Sequence, residues 1–149
     1  MADNYAMRCV VEGYNSADGT KAFRHVERMD ADKEGHCRQI EINADEGIYN
    51  ILIWCDHTNI NEPDRDLHYN TDNLHTVTVM PDDYIGTIPS KEASCTAVSS
   101  LSLDCGMTST VEAFLNRPLA SYRIISTDVE RYIRMRELHP DKYPPIEDI

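Results

Sequence analysis

The sequence predicts an α+β fold, an antiparallel β-meander sheet from the N-terminal half packed against two or three C-terminal helices. Three observations carry that expectation. Turn-forming pairs recur about every ten residues through the first third of the chain, which is hairpin spacing. Apolar and polar residues alternate between those turns, as in Gln39-Ile40-Glu41-Ile42. Beyond residue 90 helix-capping patterns replace the turns. A length of 149 residues predicts one domain, residues 1–140, followed by an extended or frayed tail, residues 141–149, that contains Pro144-Pro145.

The first expected strand is Tyr5 to Tyr14. Asp18-Gly19 follows, a pair suited to the positive φ of a hairpin turn, so residues 20–29 are expected to pair back. Residues 37–42 read as a half-buried strand, and Asp45-Glu46-Gly47 as the next turn. Ile48 to Cys55 is almost continuously apolar, carries Trp54, and reads as the central strand. Leu74 to Met80 reads as a fifth strand, ended by Pro81. The expected apolar face takes Val10, Ile40, Ile42, Leu52, Trp54, Val77 and Val79.

In the second half, Ser90 is placed to cap a helix with an inward stripe of Ala93, Ala97, Val98 and Leu101, ended at Gly106. Ser109-x-x-Glu112 predicts a short helix through Asn116 before Pro118. Tyr122 to Ile125 is a strand candidate. Thr127-x-x-Glu130 opens a last helix with Val129, Tyr132, Ile133 and Leu138 inward, ended by His139-Pro140.

Twenty-six acids against fourteen Lys and Arg give a net charge of −12. Residues 1–29 are balanced, while residues 30–72 hold eleven acids and three bases. Such a field repels nucleic acid and anionic membrane and attracts basic protein surfaces. The longest apolar run, Ile51 to Cys55, is far short of the ~20 residues that span a bilayer. The Cys9-Val10-Val11 stretch near the N-terminus is too short for a secretory signal, so the expected location is the cytoplasm.

Five cysteines with no signal segment argue against a secreted disulfide scaffold, the missing C-x-x-C pair argues against a zinc site, and the cysteines read as buried free thiols. The 56–72 loop gathers Asp56, Glu62, Asp64, Asp66 and Asp72 around His57 and His68, but the oxygen spacing of a calcium loop is missing. A small metal-dependent hydrolase centred on Asp56, His57, Asp64, Asp66 and His68 is the competing function class. Cys55 and His57 share a strand face, as a thiolate and its base would. Cys105-Gly106 precedes an expected helix start, where a thiol is activated and anions bind, yet position 111, where an anion-clamping Arg would stand, is Val111. No phosphate-binding, dinucleotide-binding or serine-hydrolase motif occurs, so no cofactor is expected.

In size and charge the chain resembles small acidic inhibitors carried by phages and mobile elements, with no shared motif. The expected function is therefore non-enzymatic: an acidic protein-binding domain that occupies the basic groove of a nucleic-acid-handling protein, as anti-restriction and anti-CRISPR proteins do. Its expected contacts are Asp45, Glu46, Glu62, Asp64, Asp66 and Asp72, with Asp82 and Asp83 as outer members. An accessory subunit that oligomerises through a sheet edge, such as a homodimer, is the third class.

Overall fold

A computed structural model describes residues 4–29, 38–81, 89–119 and 128–143. Four strands form one antiparallel sheet: β1 (Tyr5–Asn15), β2 (Lys21–Met29), β3 (Gly47–Asn59) and β6 (Ser94–Leu103), in the order β2-β1-β3-β6. Two short strands, β4 (Tyr69–Asn70) and β5 (Thr78–Val79), pair antiparallel in a second sheet. One helix, α1 (Val129–Leu138), occurs among the described residues, and none there is long and apolar enough to cross a membrane.

The fold is thus mostly β, which corrects the expected α+β class. The β1–β2 hairpin forms around Asp18-Gly19: Gly19 has φ 72° and donates to Asn15 O at 2.8 Å, and Asp18 Oδ1 accepts from Thr20 N at 3.0 Å. The sheet is not a meander, because β3 pairs with β1 rather than β2. Thus β1 and β3, the two most apolar strands, both occupy central positions, where both edges are hydrogen-bonded.

The helix expected after Ser90 is strand β6. Its misleading signal is the three-residue step from Val98 to Leu101. Tyr49 pairs with Leu101 and Ile51 with Val98, so β6 holds one more residue than β3 at this point. That is a β-bulge, with Ser100 at φ 55° and its N–H donated to Asn50 Oδ1 at 3.0 Å. The bulge keeps Val98, Leu101 and Leu103 on one face, a spacing that imitates a helical turn. The expected Ser109–Asn116 helix is also not formed: residues 107–115 are irregular, and Asn116 makes a single antiparallel bridge to Cys95.

Residues 38–45 cover the sheet without joining it, so the expected 37–42 strand is not formed over its described residues, 38–42. Of the expected 74–80 strand only Thr78–Val79 ladders, because Leu74–Thr76 forms a 3-10 turn capped by Asn73. Helix α1 stands where the last capping pattern placed it, yet it buries none of its residues, and Val129, Ile133 and Leu138 of the expected inward stripe are exposed. Its N-cap is Asp128, and no side-chain bond closes that cap. Cys37, Tyr122–Ile125, Thr127 and Pro144-Pro145 lie outside the described residues.

Because side chains alternate along β1 and β3, the sheet has two cores. Odd-numbered residues Cys9, Val11, Tyr49, Ile51 and Cys55 form one, over which Phe23, Ile40, Ile42 and Ala44 pack. Even-numbered Val10 and Trp54 join Tyr69 and Ala93 in the other, with Val77 and Val79 against them. The single apolar face expected from sequence is therefore divided: Ile40 and Ile42 lie on the odd face, while Val10, Trp54, Val77 and Val79 lie on the even face. Gly13 is where the odd face is tightest. A Cβ there would stand 2.2 Å from Phe23 Cε1, so only glycine lets that ring cross β1 and meet Tyr49 edge-on at 5.7 Å.

Candidate functional site

The even face of β1 carries two charged residues, Arg8 and Glu12, on either side of Val10, and all three are 0% exposed. Burying a charge is costly unless it is paired and hydrogen-bonded, and both are. Arg8 Nε donates to Asp56 Oδ1 at 2.7 Å and Nη2 to Asp56 Oδ2 at 3.2 Å, a two-pronged contact that the register provides by pairing Arg8 with Asp56 across β1 and β3. The same Nη2 reaches Asp66 Oδ1 at 2.6 Å, and Nη1 donates to Pro63 O at 3.0 Å. Asp66 in turn accepts from Thr71 N and Thr71 Oγ1, both at 2.7 Å. Thr58 on β3 donates to Arg65 O at 2.6 Å. The 60–72 connection is thus tied to the sheet at Pro63, Arg65, Asp66 and Thr71.

Glu12 anchors the next stretch. Its Oε1 accepts from Leu74 N at 2.7 Å and from Tyr14 Oη at 2.9 Å, while Oε2 pairs with Lys21 Nζ and lies 3.3 Å from Arg24 Nη1. Arg24 also donates to Thr71 O at 2.6 Å, which links the Arg8 and Glu12 clusters. Burial opposes ionisation of Glu12, but the Lys21 ammonium and the Leu74 N–H outweigh it and hold the carboxyl below its ordinary range. Asp66 behaves alike: Arg8 and Thr71 overcome burial and depress it. Burial, followed by its bond to Glu12, pushes the Tyr14 phenol up to about 12.

This arrangement decides what the expected site residues can do. Asp66 is half-buried and committed to Arg8 and Thr71, so it is an internal strut. Glu62, Asp64 and Asp72 are exposed on the same connection, Glu62 within 3.3 Å of Arg65. Asp45 and Glu46 are exposed too, but they end the segment that covers the odd face, on the far side of the sheet from Asp64. The structure therefore does not gather these acids into one cluster; Asp82 and Asp83 lie outside the described residues.

The hydrolase constellation does not converge either. Asp56 is engaged by Arg8, and His57, next to it on the strand, projects to the opposite face with Nδ1 3.4 Å from Glu92 O. His68 is buried with Nε2 3.2 Å from Ser90 Oγ. Among the described residues no group of three or more His, Cys, Asp and Glu could hold a metal ion. Cys105 sits in a turn before Gly106 and no helix follows it directly, so the expected anion site at a helix start has no basis. A recess beside Phe23, Ala44 and Tyr49 encloses about 180 Å³, below the roughly 300 Å³ at which small-molecule sites begin.

Sequence reasoning missed Arg8, Glu12 and Thr71 as the organising residues. It also missed five exposed apolar side chains, Met107, Val111, Phe114, Leu115 and Leu119, on the irregular segment that follows β6. Phe114 is 77% exposed. The segment touches the outer edge of β6 through Asn116, whose N and O bond Cys95 O and N at 3.0 and 2.8 Å.

No curated protein and no solved structure matches this chain. A family model does match, over residues 1–145, and its description is a family of unknown function (DUF6562). With nearly the whole length covered, the chain belongs to the DUF6562 family.

Proposed function

We propose that this chain is a non-enzymatic acidic protein-binding module whose partner presents a basic surface. The observation that carries the reading is the set of exposed apolar residues from Met107 to Leu119 in a chain of net charge −12. A concentration of exposed apolar side chains within one short segment marks a candidate contact surface, and large anchors such as Phe114 supply much of the affinity at such surfaces. The long-range field then selects a cationic partner and accelerates the encounter. Of the carboxylates that would suit catalysis, Asp56 and Asp66 are engaged by Arg8, and Asp66 helps hold the 60–72 connection to the sheet.

A second, narrower reading draws on Glu62, Asp64 and Asp72. They are exposed on a connection that Arg8 and Glu12 hold in place, and a pre-organised acidic surface loses little entropy on entering a cationic groove. This supports an inhibitor of a nucleic-acid-handling protein.

The two readings separate in one experiment. A partner captured from the native host is measured against wild type, against Phe114→Ser/Leu115→Ser, and against Glu62→Gln/Asp64→Asn/Asp72→Asn. The first reading expects the apolar variant to dissociate at least tenfold faster, and the acid variant only to associate more slowly, with a weaker salt dependence. Binding lost in the acid variant alone supports the inhibitor reading. A partner indifferent to both variants and to salt overturns the proposal.

A further inference from the structure

Cys9 and Cys55 stand directly opposite each other on the two central strands. Both lie in the odd-face core, at 3% and 2% exposure. The kind of pair they form follows from the ladder. Across β1 and β3 each residue faces the one whose number brings the pair to a constant sum, and that register runs unbroken from Tyr5 to Asn15. At its ends, Ser16 N donates to Ile48 O at 2.9 Å and Ile60 N to Asn4 O at 2.8 Å. Both bonds involve even-numbered residues of the first segment, so even positions of β1 are the hydrogen-bonded ones. Odd positions, Cys9 among them, are non-hydrogen-bonded.

At such positions facing Cα atoms are only about 4.5 Å apart and the side chains are at their closest, which lies within the roughly 4.4–6.8 Å that a disulfide spans. The other described thiols are elsewhere: Cys95 faces Trp54 on the opposite side of the sheet, and Cys105 is exposed beyond β6.

We propose that Cys9 and Cys55 are an oxidisable pair that closes into a cross-strand disulfide when the chain folds in the presence of a low-molecular-weight disulfide. The Cys9 thiolate attacks one sulfur of the oxidant, giving a mixed disulfide and releasing one thiolate. The Cys55 thiolate then attacks the Cys9 sulfur, closes the protein disulfide and expels the second. Two protein thiols are oxidised, one external disulfide is reduced to two thiols, and the two cysteine protons pass to solvent or to the released thiolates. Facing thiols on paired strands compete for one negative charge. The neighbouring Cys55 thiol favours the thiolate on Cys9, below the ordinary thiol range, while Cys55 is raised, so Cys9 is the first nucleophile. Closure precedes burial, because Ile40, Ile42 and Ala44 pack over this face and shield both sulfurs in the finished fold. The bond would join the two innermost strands of the sheet across a loop of more than forty residues, and long loops restrict the unfolded chain most.

The test is to refold reduced full-length protein in a mixture of oxidised and reduced glutathione, then unfold it and alkylate it with iodoacetamide. Of the five cysteines, three are expected to be alkylated, and digestion is expected to yield one linked pair, Cys9 with Cys55. The oxidised protein is expected to melt roughly 5–10 °C above the reduced protein. Cys55→Ala is expected to show no such difference between oxidising and reducing buffers. Five alkylated cysteines, a link through any other cysteine, glutathione retained on Cys9, or an oxidised form that melts no higher than the reduced one would each overturn the proposal.

Discussion

On its odd face β1 presents Cys9 and Val11 to an apolar cover made by residues 40–44; on its even face it presents Arg8 and Glu12, with Val10 between them, to a cover made by residues 61–80. The same eleven-residue strand therefore binds its two covers by different physics. The apolar cover is held by contact area, which is non-directional and tolerates small shifts. The polar cover is held by some ten charge-assisted or backbone bonds with fixed geometry, which set where Pro63, Asp66, Thr71 and Leu74 must lie. The polar cover includes the short β4–β5 pair and a 3-10 turn, the apolar cover has no regular element, and the difference shows how a sheet positions a largely irregular segment. It buries charged anchors in the strand beneath.

The largest effect is expected where the even face is broken at its centre. Arg8→Met leaves Asp56 buried and Asp66 half-buried without their cation, and breaking a buried pair in this way costs about 3–5 kcal/mol. Urea unfolding should show that loss, and protease cleavage should appear first in residues 61–77. If Arg8→Met unfolds within 1 kcal/mol of wild type, the polar cover is not anchored by Arg8 and the contrast between the two faces fails.

The odd face has its own weak point at Gly13. Gly13→Ala puts a methyl group into the Phe23 ring, and because Phe23 is wedged against Tyr49 it has little room to retreat. Overpacking of this kind costs about 1–3 kcal/mol, less than the broken ion pair because side chains and backbone share the displacement. Phe23→Leu in the same background should recover part of the loss, measured again by urea midpoint. No recovery would mean that the strain lies in the backbone rather than in the ring.

How far the two faces were legible in the sequence follows the same division. Strands β1, β2 and β3 and the Asp18-Gly19 hairpin were readable because alternation and turn chemistry are local signals. Ile40, Ile42, Val77 and Val79 were rightly read as inward, yet only Val79 sits in a strand, since alternation reports one-sided burial and an extended segment laid over a sheet shows it equally. Strand β6 was read as a helix because the Ser100 bulge puts Val98 and Leu101 three residues apart. The Arg8 cluster was invisible for another reason: its members are 48 to 63 residues apart in the chain. One signal was present. Arg8 and Glu12 share the inward parity of Val10, and a charge at such a position has to be paired. The acids of the 56–72 loop were read as one surface, but nothing local distinguishes Asp66, which faces Arg8, from Asp64, which faces solvent.

The contrast between the faces also predicts how the protein responds to acid. Glu12 and Asp66 both have folded-state carboxyls held below their ordinary values. In the unfolded chain they return to about 4.3 and 3.9, so the unfolded state binds protons first as pH falls. Their contribution is therefore complete above that range and is lost as pH drops through the depressed folded values. Tyr14 acts at the other end of the scale: raised to about 12 in the folded state, it stabilises below about 10 and that contribution is lost as pH rises through its folded value. Glu12→Gln keeps an acceptor for Leu74 N but loses the attraction of Lys21 and Arg24. It should start from a lower urea midpoint at pH 7 and decline less between pH 5 and pH 3 than wild type, so that the two curves approach each other in acid. Val11→Ala, which removes no charge and no hydrogen-bond partner of a carboxylate, should lower the midpoint equally at every pH. Parallel curves for Glu12→Gln and wild type would show that Glu12 is not held ionised by its partners, and the electrostatic account of the even face would have to be replaced by one of shape alone.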